Sequence, residues 1–382
     1  MKYYHYFGTE SEYNQARNNN YKEPWLSYTV GKGINYNKSE EEKPLTFEIL
    51  SSGYIKWSKF NDSEKPMSDL TIYYSKNGGE RVSITATSGS PVQIDVVEGD
   101  RVEFFGNNNR YTGNSAWSTY GFYGTTCQFN LSGNLMSMIS SENFASVKTF
   151  NQNSDYNFAY LFSQCSTLIS AEKLFLGADT LTSYCYYFLF NRCTSLTTAP
   201  KLPATTLATN CYYDMFYGCT SLTTAPELPA TTLAYNCYSY MFQGCTGLTS
   251  IPELPATILA QSCYNGMFLG CTGLTEVPEL PATTLEILCY ANMFNSCTGL
   301  TKVHSLPAQT LVERCYLQMF KGCTNLNYIK CLATSLSADR PLLDWVSGIA
   351  ATGTFVRASG VESWTTGVSG IPSGWTVQTA SS

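Results

Sequence analysis

One phrase of 26 residues recurs along the chain. "CTSLTTAPELPATTLAYNCYSYMFQG" (219–244) is followed by "CTGLTSIPELPATILAQSCYNGMFLG" (245–270) and "CTGLTEVPELPATTLEILCYANMFNS" (271–296). Cys193, Cys219, Cys245, Cys271, Cys297 and Cys323 keep this step, as do Cys185, Cys211, Cys237, Cys263, Cys289 and Cys315. Files of Leu (Leu196 to Leu326) and Phe (Phe190 to Phe320) run in phase with them. An earlier copy, "YLFSQCSTLISAEKL" (160–174), is offset by a two-residue insertion, so Cys165 precedes Cys193 by 28. A period this long marks stacked repeats. One unit cannot bury its own apolar residues, whereas stacked units bury each other's. A propeller blade needs ~40 residues or more, so a solenoid is the expected architecture.

Each unit reads as two parts. "LTTAPEL" suits a short strand in a parallel ladder between turns, with its Pro at the strand end, because a Pro has no N–H to give a central ladder. In "TLAYNCYSYMFQG", Leu233, Cys237 and Met241 fall four apart with Phe242 alongside. That spacing predicts a short helix with Gly244 as its C-cap, two or three turns long and dependent on its neighbours.

The phrase "LP…L…C…MFxGCTxLTxxPEL" resembles the BspA-like (Treponema-type) leucine-rich repeat over roughly residues 155–332. It departs from that pattern in having Met before Phe and three extra residues ahead of it. The resemblance implies a curved right-handed solenoid used in adhesion and surface recognition, with no catalytic residues to carry over.

The chain has 15 Cys. Zinc sites use close Cys pairs with His. Here the regular gap within a unit is eight, and there are two His, so no metal site and no cofactor is expected. Ladder neighbours are close enough for disulfides between turns. The plainer reading is a small buried hydrophobe filling identical slots, with reduced thiols suited to folding in a reducing cytoplasm.

Comparing the five regular copies separates fixed, internal slots from varied ones. The varied slots flank the Cys-Tyr pair and the Gly: Tyr213, Asp214, Tyr217, Tyr235, Asn236, Tyr240, Gln243, Gln261, Asn265, Asn292 and Asn295 are the candidate ligand-binding residues. Such side chains suit sugars or protein surfaces. A solvated face that has drifted would look the same. The file Tyr186, Tyr212, Tyr238, Tyr264, Tyr290 and Tyr316 reads as half-buried packing or as a sugar-stacking strip. Glu227, Glu253 and Glu279 read as exposed carboxylates, or as a cation site.

The flanks differ. Residues 44–148 carry short β-type runs ("PLTFEIL", "DLTIYYS", "RVSITAT", "RVEFFGN") separated by turn clusters, which predicts an antiparallel β-sandwich. Trp117 and Tyr120, in a polar-aromatic stretch there, are a candidate glycan contact. Residues 1–43 hold too few aliphatics for a core and form an arm, disordered or docking through Trp25 and Leu26. Residues 149–332 are the solenoid. Residues 333–382 form a cap, with a short helix in "DRPLLDWVSGI" and with Trp345, Trp364 and Trp375 sealing the end. The fold class is therefore mixed: sandwich, solenoid of short parallel strands and short helices, then cap.

Charged residues are only 14% of the chain and net charge is −6, which argues against nucleic acid and anionic membrane. No run is long enough to span a membrane, and the opening "MKYYHYFGTESEYNQARNNN" lacks the apolar core of a secretory signal. No nucleophile motif, phosphate loop or metal set appears, so no enzyme is expected. The arm and the closing phrase "GIPSGWTV" (370–377) resemble structural proteins of phages of gut Bacteroidetes. That resemblance implies a virion appendage, assembled in the bacterial cytoplasm, that touches host glycan or protein and binds other virion proteins through the arm, with room for an oligomer. A bacterial cell-surface adhesin and a purely structural virion protein are the alternatives.

Overall fold

In the computed structural model, residues 39–60, 69–106, 119–150, 155–361 and 364–380 are described, with the backbone of two short antiparallel strands, β1 (Leu26–Ser27) and β2 (Asn35–Tyr36). Trp25 and Trp117 lie outside the described residues, and of Leu26 only the backbone is described.

The β-branched runs after residue 44 form strands: β3 (Leu45–Ile49), β4 (Gly53–Phe60), β5 (Leu70–Lys76), β6 (Val82–Ala86), β7 (Val92–Val96), β8 (Arg101–Phe105), β9 (Thr119–Gly121) and β10 (Phe129–Asn134). One antiparallel set is ordered β10-β3-β8-β5-β6 and a second β7-β4-β9. Alternation aims Leu45, Phe47 and Ile49 of β3 and Ile55 and Trp57 of β4 inward. The two sheets meet through rings, with Phe122 4.8 Å from Phe47, 4.9 Å from Trp57 and 4.8 Å from Phe104.

The repeats continue from this core. β11 (Leu168–Phe175), in the first copy, pairs in parallel with β10 and extends the larger sheet. The Phe122 N–H donates to the Leu161 carbonyl at 2.8 Å, and the Phe122 ring stacks on Phe162 at 5.7 Å. Gly133 (φ 80°) lets β10 lie against the residue leading into β3, because a Cβ there would stand 1.9 Å from the Pro44 carbonyl oxygen.

The expected strands form only in certain copies. β11, β12 (Lys302–Leu306) and β13 (Tyr328–Cys331) carry Glu172, His304 and Lys330 where the other copies carry Pro200, Pro226, Pro252 and Pro278. Between copies with Pro there are single parallel bridges, such as Thr224 to Ser250 and Thr232 to Ile258. A Pro ring fixes φ and removes the ladder's donor, which decides the difference.

The expected helices are absent. Among the described residues the helical segments are short 3-10 pieces at Glu40–Glu42, Leu135–Met138 and Phe144–Ser146. The "CYxxMFxG" segment is instead a run of linked turns. Cys211, Tyr213, Met215, Tyr217 and Cys219 donate to carbonyls three residues back. Tyr212, Asp214, Phe216 and Gly218 donate to Cys237, Ser239, Met241 and Gln243 of the next unit, at 2.8–3.1 Å. Every fourth residue has positive φ: Asn210 53°, Asp214 52°, Gly218 68°. Gly244 (φ 72°) belongs to this series and caps no helix. Helices ~10 Å across would force units apart that touch at ~4.8 Å on the strand side. The turn run keeps a comparable spacing, with the Phe file stacked at 5.5–5.9 Å.

The segment 341–348 repeats this pattern, so the helix expected in "DRPLLDWVSGI" is also a turn run. Tyr316, Gln318, Phe320 and Gly322 donate to Pro341, Leu343, Trp345 and Ser347. β12, β13, β14 (Thr354–Arg357) and β15 (Thr376–Thr379) form a parallel sheet in that order. Trp345, fully buried, lies 6.3 Å from Tyr316 and 6.1 Å from Phe320, closing both aromatic files with one indole. Its Nε1–H donates to the Gly370 carbonyl, and the Trp375 Nε1–H donates to the Ala350 carbonyl. Trp364 packs 6.2 Å from Trp345.

Candidate functional site

The files of Leu, Cys, Met, Phe and Tyr line one continuous interior. All fifteen Cys are buried free thiols. Cys193, Cys219, Cys245, Cys271, Cys297 and Cys323 each donate Sγ–H to a Phe carbonyl of the preceding unit at 3.0–3.2 Å. Burial pushes these thiols up, Cys245 to about 12, which keeps them protonated and unreactive. The Tyr file is packing: Tyr186 to Tyr316 are 1–2% exposed with rings stacked at 5.8–6.1 Å. A sugar-stacking strip on those rings is ruled out by that burial. Tyr120 is likewise core, 1% exposed and stacked on Trp57 at 5.6 Å, so it cannot contact a glycan.

The candidate face is the outside of the turn run. There the polar residues have a backbone reason to be present. Asn236, Asp214 and Asn292 all have positive φ (54°, 52°, 55°), the region Asn and Asp tolerate best after Gly. Asn236 accepts from Ser239 Oγ, and Asn292 Oδ1 accepts from Asn295 Nδ2 at 3.3 Å. These contacts use the side chains for local structure. Tyr240 (φ 56°) lies against Gly266, where a Cβ would meet the ring at 2.3 Å, and its hydroxyl accepts from Asn265 Nδ2. Tyr235 is 46% exposed, Gln261 is exposed, and Gln243 is half-buried. Tyr217 lies beneath the Arg192 guanidinium at 5.7 Å.

Sequence reasoning missed the densest part of this face. In the first two copies the same slots hold Tyr156, Tyr160, Tyr184, Tyr187 and Phe188, all half-buried. Tyr156 stacks on Tyr184 at 4.3 Å, Tyr160 on Phe188 at 4.8 Å and Tyr187 on Tyr213 at 5.1 Å. Tyr213 then meets Tyr240 edge-on at 5.7 Å. An aromatic lane thus crosses four successive units. A comparison that starts at residue 209 cannot see its first half. In the lane's third unit the aromatic is replaced by Asp214, 7% exposed, whose Oδ1 has no hydrogen-bond partner. Burial raises its carboxyl to about 8.

Glu227, Glu253 and Glu279 are exposed, and among the described residues no group of three or more His, Cys, Asp or Glu is placed to hold a metal ion. No described helix is long and apolar enough to cross a membrane.

Residues 159–300 and 236–338 match the model of the BspA type leucine rich repeat region, in six copies. Across that span the repeats are similar to BspA-type leucine-rich repeats. This family points to a surface or adhesion type of protein and is typically non-catalytic. In this chain the matched units are mostly strand and turn, with a parallel sheet at their far end. No curated protein and no solved structure matches the chain.

Proposed function

We propose that the stacked units form a solenoid carrying a non-catalytic recognition face, and that the protein is a phage virion appendage contacting host surface glycan or protein. The observation that carries the recognition role is the lane Tyr156, Tyr184, Tyr187, Tyr213 and Tyr240: half-exposed rings held by stacking on a rigid scaffold. Pre-ordered aromatics lose little entropy on binding, which makes them effective anchors. Attachment to other virion proteins falls to the arm, residues 1–43, with Trp25 and Leu26 as anchors. The resemblance of the arm and of "GIPSGWTV" to phage proteins supports the particle setting. The BspA-type repeats alone equally favour a bacterial cell-surface adhesin.

Binding to intact gut Bacteroidetes cells and to a glycan array, before and after Tyr187→Ala and Tyr213→Ala, tests the recognition face. At least a tenfold loss supports it; unchanged binding removes it. Mass spectrometry of purified virions separates the particle reading from the adhesin.

A further inference from the structure

Resting on that reading of the face, we infer that Asp214 and the rings around it form a site for a primary alkylammonium group. Three observations converge. The carboxyl is more than nine-tenths buried, its Oδ1 accepts from nothing, and none of the ion pairs among the described residues involves it. Its column neighbours along the lane are Phe188 and Tyr240, and Tyr160, Tyr187 and Tyr213 are close enough to feel its charge. The rings pack against one another with centroids 4.4–6.0 Å apart and stay half-buried, so the lane is both ordered and open to solvent at its edge.

An orphan acceptor needs a donor, and aromatic faces favour a cation. An R–NH3+ group supplies both: one N–H to Oδ1, and charge and methylenes to the rings. A neutral sugar hydroxyl would satisfy Oδ1 but bring no positive charge to the ring faces. A quaternary ammonium would use the rings but leave Oδ1 unpartnered. Binding is coupled to one proton: the neutral acid releases H+ to water as the ammonium takes its place beside the carboxylate. Asp214 holds its proton below about pH 8, so affinity rises with pH up to about that value and then levels.

The test uses the full chain with ring-labelled tyrosine and NMR titration with n-butylammonium chloride, with tetramethylammonium chloride as the comparison. Expected are shifts confined to Tyr160, Tyr187, Tyr213 and Tyr240, at least tenfold weaker with tetramethylammonium. The Asp214→Asn variant should bind butylammonium at least tenfold more weakly. Asn is already accommodated at the equivalent position, Asn292, with the same positive φ, so the fold should survive this change, and unchanged amide shifts elsewhere confirm that. Separate titrations with glucosamine and with Nα-acetyl-lysine amide distinguish an amino sugar from a lysine side chain as the source. Equal binding by wild type and Asp214→Asn, or no tyrosine shifts at all, overturns the inference. Butylammonium binding by the wild type that is lost in Asp214→Asn, alongside unaltered cell adhesion in the Tyr187→Ala variant, would leave the site standing and sink the recognition reading alone.

Discussion

The Sγ of Cys245 donates to the carbonyl oxygen of Phe216 at 3.0 Å, and the same oxygen accepts the Cys219 N–H at 3.1 Å. Each thiol of this file is thus a second donor to a carbonyl that already has one, binding a unit to the one before it. This explains why the slot is filled by Cys in unit after unit, since Ala, which would also fit, has no donor to offer.

Cys245→Ala should therefore cost only about 1–2 kcal/mol, because the Phe216 carbonyl keeps its N–H and the loss is one weak bond plus the packing of one sulfur. Urea unfolding measures it. The fifteen buried thiols should also be silent to a thiol reagent at pH 8 in the native protein and all react once it is unfolded.

His304→Pro restores the residue found in the central copies. It should abolish β12 as a strand and leave only bridging contact with β13, costing about 1–2 kcal/mol through a lost ladder donor. Faster amide exchange at Val303 and Ile329 would report it.

Stability should depend on pH through Asp214. Its folded-state carboxyl is raised from 3.8 to about 8, so the folded protein holds a proton that the unfolded chain has released between those values. The unfolding free energy then falls as pH rises from about 4 to about 8 and is flat above, by an amount on the order of a few kcal/mol. Asp214→Asn should remove this slope. Asp100 acts oppositely. Lys76 and the Val97 N–H hold its carboxyl down at about 2, so its contribution is present above about pH 4 and is lost as pH falls towards 2. Thermal melts across pH 2–9 separate the two.

Gly266→Ala places a Cβ 2.3 Å from the Tyr240 ring at a φ of 60°. The variant should fold with about 1–3 kcal/mol less stability and with Tyr240 displaced, seen as loss of its contact with Tyr213 in NMR.

The interior of the repeats was legible because its files keep strict phase: Leu, Cys, Met, Phe and Tyr all fall where periodicity places them. The turn run was not, because apolar residues four apart fit a helix and a chain of four-residue turns equally well. The discriminating evidence lay in the other letters. Asn210, Asp214 and Gly218, also four apart, are poor helix formers that accept positive φ. The same letters serve two readings at once, since Asn236 and Asn292, candidate recognition residues, also answer a backbone need at positive φ. Which copies pair as strands was written in the Pro slot, and that slot is visible only when Glu172, His304 and Lys330 are aligned with it.

The stack is held together by the turn run bonding sideways to the next unit. Through-hydrogen-bond scalar coupling at the Phe242 amide measures this directly in deuterated protein. Coupling to the Met267 carbonyl, 2.9 Å away in the following unit, is the predicted result. Coupling to the Tyr238 carbonyl four residues back would mean a helix, and would contradict it.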